Sequence, residues 1–116
     1  MAYESKIYIV NVTGDYNSPY AQPVMEYDLC YITPDSGFRN LFREPIDFEI
    51  FVDDNTATDT DKYGDHLKAG DLQEIISWLE AWPETKTYRR VPPFLAALKA
   101  FDPGEWENLK IVHYGY

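Results

Sequence analysis

Residues 47–61, DFEIFVDDNTATDTD, contain six carboxylates and no lysine or arginine. Carboxylates at this density can coordinate a cation or attract a basic surface. The alternative is a purely solvated face, on which acids also discourage aggregation of edge strands. Solvated faces usually mix both signs of charge, so the absence of bases in this stretch favours a binding role.

The net charge of the whole chain narrows the class of partner. Twenty acidic residues against ten basic ones give −10 at pH 7. Such a chain repels the phosphates of nucleic acids and of anionic membranes, so the predicted partner is a basic protein. Aromatic residues make up 16% of the chain, which argues against the disorder typical of acidic, aromatic-poor sequences.

A calcium loop is the first site to consider in the acidic region. Asp59, Asp61 and Gly64 match the first, third and sixth positions of an EF-hand loop. The fifth position is Tyr63, and the twelfth is Gly70, where a bidentate glutamate is required. We therefore predict no metal site and no cofactor.

Residues capable of catalysis are few. The two histidines, His66 and His113, lack the spacing of a metal motif, and no nucleophile elbow or phosphate-binding loop is present. The single cysteine, Cys30, indicates a reducing compartment, and we expect a cytoplasmic protein. The chain is thus predicted not to be an enzyme. An enzyme or small-ligand binder would need a polar-lined cavity around His66 or His113.

The elements that position these residues follow from periodicity. Alternating apolar residues predict strands over residues 6–12, 24–33, 46–53 and 109–116. Apolar residues at helical spacing and a capping pair at Asp71 and Glu74 predict a helix over residues 71–82. Apolar residues at helical spacing after Pro92–Pro93, which suit a helix start, predict a second helix over residues 92–101. Residues 54–70 are predicted as a polar loop. The whole chain, residues 1–116, is expected to form one α+β domain of two layers. Its roughly four-stranded antiparallel or mixed sheet would carry both helices on one face, in the order β-β-β-α-α-β.

This arrangement would place the acids on the open face of the sheet. If the second and third strands are neighbours, their outward side chains form a regular array, spaced ~6.6 Å along each strand. The predicted partner-binding residues are Glu26, Asp28, Asp47, Glu49, Phe51, Asp53, Asp54, Asp59, Asp61 and Tyr63.

We therefore expect a non-enzymatic acidic binding protein, or inhibitor, that engages a basic surface of another protein, such as a nucleic-acid-binding enzyme. No motif of a known family is present. The composition resembles that of small acidic inhibitors from phages and mobile elements that occupy the basic grooves of restriction or CRISPR nucleases. The alternative is a self-assembling protein whose acidic face pairs with the Arg89–Arg90 connector of another copy.

Overall fold

The computed structural model describes residues 4–11, 20–21, 23–30, 37–53, 55–83, 88–101 and 109–116. A 3₁₀ helix, Phe38–Leu41, precedes β4. The strands are β1 Ser5–Asn11, β2 Tyr20–Ala21, β3 Pro23–Cys30, β4 Phe42–Pro45, β5 Glu49–Phe51, β6 Ala57–Thr58, β7 Lys68–Gly70 and β8 Leu109–Gly115. The helices are α1 Leu72–Ala81 and α2 Val91–Ala100.

Five of the strands form an antiparallel sheet in the order β3-β1-β8-β7-β4. β1 and β8 pair along seven residues in the middle of this sheet, and β3 and β4 are its edges. The last strand of the chain, β8, follows both helices in sequence and lies between β1 and β7. The predicted α+β architecture is confirmed.

Both helices bury an apolar stripe against the same face of this sheet. The buried residues that meet there are Ile7, Ile9 and Ile111 from the sheet, Ile75, Ile76 and Leu79 from α1, and Val91, Phe94 and Leu98 from α2. The helices have ten residues each, and no helix in the described ranges has the length and apolar character of a membrane span.

Asp71 is the N-cap of α1, as predicted, since its Oδ2 accepts a hydrogen bond from the backbone N–H of Glu74 at 2.9 Å. Asp71→Ala should lower the free energy of unfolding by about 1 kcal/mol, because an N–H at the helix start loses its partner. Asp71→Asn keeps an acceptor oxygen and should retain most of the stability. Urea unfolding of the three proteins measures the difference, and equal losses in both variants would contradict the capping role.

The opposite face of the five-stranded sheet is covered by a second, three-stranded sheet in the order β2-β5-β6. Ile50 of β5 is completely buried there, in a cluster that includes Tyr8 and Val10 of β1 and Val112 of β8. Successive residues of a strand point to opposite faces, so β1 is buried on both sides. This explains why both alternating positions of β1 are apolar.

Two predictions about the middle of the chain are wrong in detail. Residues 46–53 do not form one strand of the main sheet, because β4 ends at Pro45 and β5 belongs to the second sheet. The chain changes sheets at Ile46, whose N–H donates to the carbonyl oxygen of Leu67 at 3.1 Å. Residues 54–70, predicted as a loop, contain β6 and β7, and β7 joins β4 to β8.

Candidate functional site

The acidic stretch lies on the second sheet, with its apolar side chains turned toward the core. The inward positions are buried or partly buried: Ile46, Phe48, Ile50 and Val52. The alternate positions are predicted site residues: Asp47 and Asp53, which are exposed, and Glu49 and Phe51, which are half-buried. The predicted alternation over residues 46–53 is confirmed. The predicted site residue Asp54 lies outside the described residues.

The predicted array across two neighbouring strands is not formed. Glu26 and Asp28 lie on β3, an edge strand of the five-stranded sheet, whereas Glu49 lies on β5 in the second sheet. The reason is the burial of Ile50, which packs over β1 and β8 and could not do so from a position beside β3. The acids of the two predicted strands therefore occupy different layers.

Glu26 and Asp28 nevertheless point toward the side that the second sheet covers. They lie opposite Tyr8 and Lys6 of β1, and directly opposed residues of antiparallel strands share a face. Lys6 Nζ lies 2.7 Å from Glu26 Oε1, and 5.8 and 5.7 Å from the ring centroids of Tyr8 and Tyr116. The Tyr116 hydroxyl donates a hydrogen bond to Asp28 Oδ2.

Tyr114 connects Asp53 and Asp61 to the same group of side chains. Its ring packs edge-on against Tyr8, with 5.9 Å between the centroids. Burial raises the pKa of Tyr114, and the nearby carboxylates of Asp61 and Asp53 raise it further. We refer to these residues as the tyrosine–carboxylate cluster: Lys6, Tyr8, Glu26, Asp28, Asp53, Asp61, Tyr114 and Tyr116.

The Lys6–Glu26 pair shows how the tyrosine–carboxylate cluster holds a cation. Burial alone lowers the pKa of Lys6, but the hydrogen bond to Glu26 and the charges of Tyr8 and Glu26 raise it above its usual value. A half-buried ammonium is thus kept protonated by a carboxylate and flanking tyrosine rings. Glu26 and the two rings are thus engaged by a cation of the same chain.

Two of the acids in the stretch also close turns, a role that the sequence analysis missed. Asp53 Oδ1 accepts from the N–H of Asn55 at 2.8 Å, and this bond lowers the pKa of Asp53. Asp61 Oδ1 accepts from the N–H groups of Tyr63 and Asp65 at 2.8 and 3.1 Å. The sequence signal of such a turn is an aspartate within a loop, because its carboxylate can accept a hydrogen bond from the backbone N–H two residues later. These bonds fix the positions of both carboxylates.

Several lysines and arginines form ion pairs with glutamates outside this stretch. In the described part of the chain these pairs are Lys6–Glu26, Arg43–Glu74, Lys99–Glu80 and Lys110–Glu44. Within the same residues, no lysine or arginine forms an ion pair with an acid between positions 47 and 65. The negative charge of the acidic stretch is therefore not neutralised by these bases.

The remaining predicted site residues, Asp59 and Tyr63, lie in the hairpin that follows β6. His66 Nδ1 is 3.9 Å from Asp59 Oδ2, and His66 Nε2 is 2.8 Å from the carbonyl oxygen of Ile46. A hydrogen on Nε2 would donate to that carbonyl and leave Nδ1 facing the carboxylate. Tyr63 is 40% exposed at the turn.

A polar cavity of about 490 Å³ surrounds the two histidines, where this hairpin meets the 3₁₀ helix and the end of β7. Its walls are Arg39, Asn40, Phe42, Asp61, Asp65, His66, Lys68 and His113. The cavity is polar-lined, as the small-ligand alternative required, and most of its wall residues are exposed, so it is open to solvent. No sequence motif predicted it, because its residues come from three separate parts of the chain, 39–42, 61–68 and 113.

His113 forms a neutral, fixed part of this cavity. Its side chain is only 8% exposed, and Nε2 lies 2.9 Å from Ser5 Oγ. Its ring packs against Phe38 and Phe42. Burial, with a smaller contribution from the Arg39 charge, lowers the pKa of His113 from 6.5 to about 4.

The Arg89–Arg90 connector is tied to the edge of the five-stranded sheet. Arg90 Nη1 donates to the carbonyl oxygen of Asp28 at 3.0 Å, and the Tyr27 hydroxyl donates to the carbonyl oxygen of Arg90 at 2.8 Å. Both arginine side chains are exposed. One of the two guanidinium groups is therefore already used within the chain.

The described residues contain no group of three or more histidine, cysteine, aspartate or glutamate side chains that could hold a metal ion. In the EF-hand-like segment, the Asp61 carboxylate instead accepts hydrogen bonds from its own turn.

Comparisons of the chain with protein-family models, curated proteins and solved structures find no match.

Proposed function

We propose that this chain is a non-enzymatic binding protein whose acidic surface engages a basic surface of another protein. The acidic surface comprises Glu49 of the second sheet, Asp47 in the bend before it, and the tyrosine–carboxylate cluster. The observation that carries the proposal is the distribution of ion pairs. Among the described residues, acids between positions 47 and 65 make no ion pair with lysine or arginine, whereas Glu26, Glu44, Glu74 and Glu80 do.

The acidic surface is held in place before any partner binds. Burial of Ile50 fixes the second sheet against the main one. The turn bonds of Asp53 and Asp61 fix their carboxylates. Groups that are already ordered lose less conformational entropy on association, so this arrangement favours binding over simple solvation.

The charge pattern favours a partner that itself binds nucleic acid. Asp47, in the bend before β5, and Glu49, at the start of β5, place two carboxylates within three residues of the chain. Duplex DNA carries about one negative charge per 1.7 Å of its axis. A groove lined with lysine and arginine for phosphates would attract the acidic surface, and its occupation would inhibit the partner. We place this interaction in the cytoplasm.

Self-assembly through the Arg89–Arg90 connector is the alternative, and it has less support. Arg90 already donates a hydrogen bond to the backbone of Asp28 in its own chain. Binding to a second copy would have to replace that bond. Light scattering at low and high salt distinguishes the two ideas, since a salt-sensitive oligomer would favour assembly.

The test neutralises two acids at the start of the acidic stretch, Asp47→Asn with Glu49→Gln. A partner is first captured from the cytoplasm of the source cell at low salt, released at high salt and identified by mass. Its association rate constant with the double variant should fall about tenfold at low salt, because steering of oppositely charged surfaces is lost. Stability should not fall, since the two changes remove mutual repulsion.

The matched control is Glu74→Gln with Glu80→Gln, which removes the same charge from α1. Each of these glutamates forms a surface ion pair, which contributes at most about 1 kcal/mol. The control should associate at nearly the wild-type rate, and added duplex DNA should compete with the chain for the partner. An equal loss of rate in both double variants would show that only the net charge matters and would contradict a localised surface.

A further inference from the structure

The polar cavity around the two histidines is a second candidate site, which shares only Asp61 with the acidic surface proposed above. Its volume of about 490 Å³ lies within the ~300–1,000 Å³ typical of small-ligand sites. Its wall combines two basic side chains, Arg39 and Lys68, with two acidic ones, Asp61 and Asp65. A ligand must therefore match charges of both signs.

The basic side chains converge near His113. Lys68 of β7 lies directly opposite His113 of β8, so both side chains point to the same face of the sheet. Arg39 of the 3₁₀ helix lines the same cavity as His113 and Lys68. Within the described residues, the Lys68 ammonium makes no ion pair or hydrogen bond. A cationic group is thus held at the cavity wall with its binding capacity unused by those residues.

The acidic side chains come from the hairpin on another part of the wall. Asp61 Oδ1 is engaged by its own turn, and Asp65 is exposed. In the described part of the chain, neither carboxylate forms an ion pair with Lys68. Opposite charges therefore line one space without neutralising each other directly.

We propose that the cavity binds a small zwitterion, namely an α-amino acid, with its carboxylate at Arg39 and Lys68 and its ammonium at Asp61 and Asp65. A simple anion would be repelled by the two carboxylates and by the net charge of −10. A simple amine would meet the two basic groups.

The two histidines allow a direct test, because they are the only ones in the chain and both line the cavity. Protein labelled with ¹³C in its histidine rings is titrated with each of the twenty L-amino acids, and the ring signals are followed by NMR. At least one amino acid should shift the signals of both His66 and His113 to saturation. The corresponding carboxylic acid and the corresponding amine, each with one charge, should bind at least about tenfold more weakly.

Lys68→Met should weaken binding about tenfold or more, because a charged hydrogen-bond donor is lost. Lys62→Met is the matched control, since it removes an exposed lysine near the same hairpin that does not line the cavity, and it should bind normally. Failure of all twenty amino acids to shift the signals, equal binding of the carboxylic acid, or equal losses in the two variants would each overturn the proposal. None of these outcomes affects association with a basic protein, which is measured separately.

Discussion

Ile50→Ala should lower the free energy of unfolding by about 2–5 kcal/mol, the usual cost of truncating a fully buried aliphatic side chain. Ile50 has no exposed surface and lies in the cluster between the two sheets. Its neighbours β2 and β6 have only two residues each, so few backbone bonds are available to hold β5 without it. Packing of Ile50 therefore keeps the acidic stretch in position.

Urea unfolding measures the loss, and hydrogen exchange locates it. The N–H of Val52, which donates to the carbonyl oxygen of Thr56 at 2.9 Å, should exchange faster in Ile50→Ala. Val24→Ala is the control, because Val24 is 45% exposed, and its truncation should change stability by less than about 0.5 kcal/mol. A loss below about 1 kcal/mol in Ile50→Ala would be typical of a surface position and would contradict the packing of the second sheet.

The same variant separates the position of the acids from their number. Ile50→Ala leaves the net charge unchanged, whereas Asp47→Asn with Glu49→Gln removes two charges. If a fixed geometry accelerates association, then loosening the second sheet should slow association without any change in charge. Binding that depended on net charge alone would be unaffected by Ile50→Ala.

The sequence was sufficient to predict the elements whose periodicity is strong. The apolar spacing of Ile75, Ile76 and Leu79 and the cap at Asp71 predicted α1 correctly. The alternation around Ile50 also predicted which side chains point inward. These features depend on neighbours close in the chain, and their apolar patterns are long enough to distinguish helix from strand.

The pairing of strands could not be predicted in the same way. β7 has the sequence Lys68-Ala69-Gly70, which has no apolar alternation, and its extended form depends on β4 and β8 on its two sides. Such short strands are determined by tertiary packing more than by local preference. For the same reason the sequence did not show that β5 leaves the main sheet.

The candidate sites were predictable only as residue types. The acids of residues 47–61 were recognised from composition, but the tyrosine–carboxylate cluster depends on the pairing of β1 with β3 and β8. The cavity brings Arg39 and His113 together across most of the chain. Long-range contacts of this kind leave no spacing that a single sequence reveals.

Acidification should destabilise the protein through His113. The folded-state pKa of about 4 lies below the ordinary value of 6.5, because a protonated ring buried in the folded protein lacks the water that solvates it in the unfolded chain. Between these values the unfolded chain binds a proton at this residue that the folded chain does not. The stability that His113 contributes is therefore complete above about pH 6.5 and lost as the pH falls toward 4, by about 3 kcal/mol in all.

The contribution of His113 is isolated by comparing the wild type with His113→Gln, because the twenty acidic residues also titrate at low pH. Gln cannot be protonated in this range, and its amide can still form a hydrogen bond with Ser5. Urea unfolding at several pH values between 7 and 4 should show the wild type losing about 3 kcal/mol more than His113→Gln. His66→Gln keeps His113 in place and so should retain the loss that His113 causes. Parallel curves for the wild type and His113→Gln would mean that His113 takes up its proton equally well in both states, and would contradict a buried, neutral ring at the cavity wall.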